Sequence, residues 1–139
     1  MADFIETPNF FIPLSDGRKL SARMWKPVSN SNSHFIGPCI LEYLPYRKRD
    51  GTALRDEGNH PSFASKGYVC IRVDLPGQGD SDGLMLDEYT EDELSTGHEV
   101  INWIANQEWS NGNVGMIGIS WGGFNGLQIA MRKPSPLKA

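Results

Sequence analysis

Cysteine is scarce in this chain. Cys39 and Cys70 are the two present among 139 residues, and neither belongs to a CxxC pair. A disulfide framework and a zinc-finger spacing are thereby excluded. Each lies in an apolar run, residues 36–44 and 68–73, so both are expected as buried, reduced thiols. Basic charge is also limited: 13 Lys and Arg stand against 17 Asp and Glu, a net charge of −4. That balance argues against nucleic acid or an anionic membrane as a partner. The small Arg47-Lys48-Arg49 cluster is followed directly by Asp50. No apolar run approaches membrane-spanning length, and the first residues carry Asp3 where a signal peptide would be basic. The expected location is therefore cytoplasmic. No internal repeat occurs, and the 15 Gly and 9 Pro show no period. With 39% hydrophobic residues the composition is that of one globular domain.

What is present alternates between two hydrophobic periods. Residues 10–13 and 19–25 read as strands around a turn at Ser15-Asp16-Gly17. After a polar loop centred on residues 29–33, residues 39–44 form a third, mostly apolar strand. A short helix is expected from Asn59 to Ser65, with Pro61 in its first turn. Residues 68–73 make a buried β-branched strand. Glu91, Asp92 and Glu93 suit the positive end of a helix that buries Leu94, Val100, Ile101, Ile104 and Ala105. Asn111-Gly112-Asn113 turns the chain into a strand over 114–119, and a helix covers about 121–131. Strands alternating with helices indicate an α/β fold: a mostly parallel sheet, helices on both faces, and an antiparallel N-terminal edge.

The pattern Gly118-Ile119-Ser120-Trp121-Gly122 is weak as five letters. Its place is informative, because it ends an apolar strand and opens a helix, where a nucleophile elbow sits. There Ser120 would project from the C-terminal edge of the sheet, with the Trp121 N–H aimed at a developing oxyanion. A glycine-rich turn follows another strand at Gly77 and Gly79. A dinucleotide fingerprint would need glycine where Asp82 stands, and no P-loop lysine follows, so nucleotide binding is the weakest reading.

Four stretches together resemble the N-terminal part of the X-prolyl dipeptidyl peptidase and cocaine esterase-like family of serine hydrolases. They are Tyr43-Leu44-Pro45-Tyr46-Arg47-Lys48, residues 67–74, residues 109–115, and Gly118-Ile119-Ser120-Trp121-Gly122-Gly123. The resemblance implies that Ser120 is the nucleophile and that the Tyr46 hydroxyl joins the Trp121 N–H in the oxyanion hole. It also implies ester, amide or short peptide substrates and no cofactor or metal. Pro76 departs from the arginine that the family usually carries before the first glycine of the 74–82 turn.

A serine nucleophile needs a base, and the base an acid, which in α/β-hydrolases follow the serine along the chain. After Ser120 there is no Asp, Glu or His; His34, His60 and His98 all precede it and read as surface or helix-end residues. Residues 1–139 thus read as a partial α/β-hydrolase domain that stops shortly after its elbow. Its last strand would be an exposed apolar edge able to self-associate. The reading from a different class is a non-catalytic α/β fragment or interaction module.

Overall fold

The computed structural model describes residues 3–29 and 34–139, so most of the polar loop, residues 30–33, lies outside the described residues. Five strands, β1 (Phe4–Pro13), β2 (Lys19–Pro27), β3 (Gly37–Leu44), β4 (Val69–Asp74) and β5 (Ser110–Ile117), alternate with α1 (Ala53–Ala64), α2 (Glu91–Ala105) and α3 (Trp121–Met131). The sheet order is β1-β2-β4-β3-β5. Strands β4, β3 and β5 run parallel, while the β1–β2 hairpin adds an antiparallel edge, as the two short N-terminal runs imply.

Alternation along the strands divides two unlike interfaces. Leu41, Tyr43, Val69, Ile71 and Val73 face α2 and α3, where they pack with Leu94, Val100, Ile101, Ile104 and Ile129. This is the apolar side of the molecule. On the opposite side Ile40, Cys70 and Trp25 meet Phe63 and Ala64 of α1, alongside buried Glu42, Arg72 and Asp74. Cys39 and Cys70 are both buried and free, on neighbouring strands but opposite faces.

Three elements differ from expectation, the first being β1, which begins at Phe4 and not at residue 10. Helix α1 begins at Ala53, not Asn59, and Pro61 lies inside it. Its inward positions are Asp56, His60 and Ala64, a four-residue spacing built mainly from polar side chains. A search for apolar periodicity passes over such a helix. Strand β5 starts at Ser110, with Gly37 paired to Ser110 across a register shift, so the Asn111-Gly112-Asn113 turn lies within the strand.

The outer side of β5 is not bare. Residues 136–139 run beside it: the Val114 N–H donates to the Pro136 carbonyl, Lys138 N–H to Val114, and Met116 N–H to Ala139. Among the described residues no helix is long and apolar enough to cross a membrane.

Candidate active site

Between the end of β5 and the first turn of α3 the chain reverses at Ser120, which has φ 53° and ψ −117°. That left-handed conformation is rare for a residue with a Cβ and requires enforcement by its surroundings. Both flanking glycines supply it. A Cβ on Gly118 would collide with the Gly122 carbonyl, and one on Gly122 would lie 2.9 Å from the Leu44 side chain. The Ser120 carbonyl accepts from the Gly123 and Phe124 N–H groups, starting the helix, while its side chain makes no capping bond. Ser120 is exposed.

Parallel pairing of β3 with β5 brings their C-terminal ends together. The loop after β3 therefore meets the elbow, and the Trp121 N–H donates to the Tyr46 hydroxyl at 3.3 Å. Ser120, Tyr46 and Trp121, the three residues singled out in the sequence, share one end of the sheet. A carbonyl oxygen beside Ser120 would find a phenolic O–H and a helix-start N–H within one small region, the donor pair that stabilises an oxyanion.

The Tyr46 loop is fixed from below by Asp74 at the end of β4. Its Oδ1 accepts from the Lys48 N–H at 2.9 Å, and the Lys48 ammonium reaches Asn9 Oδ1 at 2.8 Å. Arg72 donates to the Leu44 and Val73 carbonyls. Burial pushes the Asp74 carboxyl above its ordinary value despite Arg72 and Lys48 nearby. The glycine turn after β4 serves this carboxylate. Its N–H groups at Gly77, Gln78 and Ser81 are spent on carbonyls of the same turn, which opposes a phosphate cradle.

Glu93 is the residue of this region that the sequence alone did not single out. Glu91 and Asp92 are exposed acids at the start of α2, as expected, and pair with Arg132 and Arg18. Glu93 instead turns inward at 4% exposure. Its Oε1 accepts from the Trp121 indole N–H and the Asn125 amide, each at 2.9 Å, and its Oε2 from the Tyr89 N–H at 2.8 Å. The Thr90 hydroxyl accepts from the Glu93 N–H. Thr90-x-x-Glu93 matches the capping-box spacing, the signal that marks this glutamate in the sequence. Tyr89, at φ 55°, lays its ring 5.3 Å from Trp121 and 6.2 Å from Phe124.

The histidines do not join the elbow in any described contact. His34 is exposed and His98 half-buried. His60 is no helix-end residue: it is fully buried, stacked 4.7 Å from Trp25, with Nε2 3.1 Å from Glu42. Ligand atoms of Glu42, Asp56 and His60 lie within 4.8 Å of one another, a spacing that could suit a metal. Arg55 already pairs with Glu42 at 2.6 Å and Asp56 at 2.7 Å, and Arg72 lies 3.5 Å from Asp56. Two guanidiniums answer the two carboxylates, so the cluster is built as an internal ion network.

Comparison with known proteins gives the family. The X-Pro dipeptidyl-peptidase (S15) family pattern matches residues 16–139. The cocaine esterase of Rhodococcus sp. (strain MB1 Bresler) is 30% identical over 132 residues, covering 94% of this chain and 22% of that protein. A CocE/NonD family hydrolase from Staphylococcus aureus superposes with a TM-score of 0.81 at 26% identity, over 97% of this chain and 27% of the other. An α-amino acid ester hydrolase gives a TM-score of 0.74 at 26% identity, over 99% and 25%. The chain therefore spans about a quarter or less of the length of these relatives.

Proposed function

Because the chain belongs to the X-Pro dipeptidyl-peptidase (S15) family of hydrolases, we propose that it carries the nucleophile and oxyanion hole of a serine hydrolase acting on an ester, amide or short peptide. Ser120 Oγ attacks the substrate carbonyl while its proton passes to a general base. The carbonyl oxygen becomes an oxyanion that accepts from the Tyr46 O–H and the Trp121 N–H. Collapse breaks the bond to the leaving group, which takes the proton, and leaves an acyl-serine for water to cleave. The observation that carries this reading is the φ 53° turn at Ser120 with Tyr46 Oη 3.3 Å from the next N–H.

Residues 121–139 contain no Asp, Glu or His. Base and acid are thus not supplied downstream of Ser120 within these residues, and residues 1–139 act as a partial hydrolase domain. Two buried thiols suit the reducing cytoplasm. The exposed apolar side chains Phe124, Leu127 and Met131 on α3 favour a second reading, a non-catalytic α/β interaction module that associates through this surface.

Added imidazole separates the two. With p-nitrophenyl acetate, the chain alone should turn over no faster than Ser120→Ala. With imidazole present as external base, mass spectrometry should find an acetyl group on Ser120. Imidazole-dependent acylation that is absent, or identical in Ser120→Ala, would sink the hydrolase reading. Turnover well above the control without imidazole would mean that one of the three histidines reaches Ser120.

A further inference from the structure

Glu93 has a bonding pattern that its place in a helix start does not require. A helix-start acid can meet the dipole from solvent, as Glu91 and Asp92 do, both being exposed. Glu93 is buried, and among the described residues no cation forms an ion pair with it. All three groups on its carboxylate are donors, the set that an ionised carboxylate takes. The charge rests at the third position of α2, where the helix N-terminus favours it.

The partners come from three directions. Trp121 and Asn125 stand one turn apart on α3, and Tyr89 ends the loop before α2. The Glu93 carbonyl accepts from the buried Tyr43 hydroxyl on β3, and Asn125 also donates to the Tyr43 carbonyl. Tyr43 lies three residues before Tyr46, and Trp121 directly follows Ser120. One residue thus ties the strand that delivers the phenolic donor to the helix that delivers the N–H donor.

We propose that Glu93 is a positioning residue for the oxyanion hole, its carboxylate setting the orientation of Trp121 and, through it, of the backbone N–H beside Ser120. This inference rests on the hydrolase reading above. Without that anchor the first turn of α3 shifts and carries the Trp121 N–H away from where the oxyanion forms, and misplacement of this kind slows chemistry without weakening substrate binding.

The test uses the 139-residue chain. Its Trp121 indole N–H resonance is identified by its loss in Trp121→Phe. In Glu93→Gln that resonance should shift, and imidazole-dependent acylation of Ser120 should slow by about ten-fold or more. The half-saturating ester concentration should stay unchanged. Trp121→Phe should slow acylation comparably, and the double variant should be no slower than the worse single one. A shifted indole with an unchanged acylation rate would overturn the proposal, leaving Glu93 a purely structural role. Single effects that simply multiply would overturn it too. Should Glu93→Gln not fold, Trp121→Phe removes the same hydrogen bond from the other side, and an unchanged rate there overturns it. Failure of the hydrolase reading appears separately, as absent acylation in the unaltered chain, and this proposal falls with it.

Discussion

Asp74 and Gly79 form a pair in which a missing side chain makes room for a needed one. The Asp74 carboxylate holds the Lys48 N–H and with it the Tyr46 loop. Gly79, at φ 55°, leaves the space that Asp74 Oδ2 fills, since a Cβ there would collide with that oxygen. Gly17 supplies the comparison: at φ 92°, a Cβ added to it would meet nothing within 4 Å. Gly17→Ala should cost only the backbone strain, about 1 kcal/mol. Gly79→Ala should cost clearly more, about 2–4 kcal/mol, because clash adds to strain. Urea unfolding of both variants checks this, and equal losses would refute the clash argument. The thiols make a second case. Burial pushes Cys70 up to about 12 and Cys39 well above the ordinary thiol range. Reaction needs the thiolate, so neither should react with a disulfide reagent at pH 8 until the chain is unfolded. The turn at Ser120 and Trp121 was legible in the sequence because a strand, a Gly-x-Ser-x-Gly turn and a helix in succession make a local pattern, whereas Tyr46, on a different loop, was reached only through the family resemblance. The pairings of Glu93 and His60 were not legible. Trp121 and Asn125 lie 28 and 32 residues from Glu93, and Glu42 lies 18 from His60, beyond what helical or strand periodicity reports, so that the Thr90-x-x-Glu93 spacing is the local mark that Glu93 carries.

Helix α1 shows what such distant pairing does to an element. The strands and α2 were readable, since each buries apolar residues at its own period, and α3 from the Gly-x-Ser-x-Gly turn that opens it. The inner stripe of α1 is Asp56, His60 and Ala64, and it acquires meaning only against Glu42 and Arg72 on the sheet. Desolvation opposes ionisation of Glu42, but the His60 hydrogen bond and Arg55 together hold its carboxyl below the ordinary value. A lowered folded pKa adds stability that is complete above the unfolded value and fades as pH falls through the folded one. Glu42→Gln should therefore lose about 1–3 kcal/mol at pH 7, through a weakened pairing with Arg55 and His60. The gap to the unaltered chain should narrow below about pH 4. Denaturant curves at several pH values measure it, and a gap independent of pH would show that the Glu42 charge does not support α1.

Across the whole molecule the two ends of the sheet are finished differently. The β1–β2 hairpin closes one side, and charged side chains such as Arg23 with Glu6 and Glu57 dress it. At the β5 side, residues 136–139 occupy hydrogen-bonding groups of Val114 and Met116, so the bare strand edge expected from the sequence is partly covered. The apolar surface there remains. Phe124, Leu127 and Met131 recur at helical spacing on the outward side of α3, exposed by 61%, 69% and 79%, and Ile119 is exposed by 55%. On its inner side α3 buries Gly122, Asn125 and Ile129, so Ile129 is the large apolar side chain it hides while the apolar stripe lies outside. A stripe of this kind beside a sheet edge marks an interaction surface, and in water a second copy of the chain is the partner always at hand. We therefore expect the chain to self-associate through the α3 stripe more than through β5 backbone pairing. Leu127→Glu with Met131→Glu, both exposed, should leave the fold intact and shift the chain toward monomer in size-exclusion chromatography with light scattering. If the unaltered chain is already monomeric at micromolar to millimolar concentration, the stripe does not drive association. If the double variant associates as strongly as the parent, the α3 stripe does not carry the association.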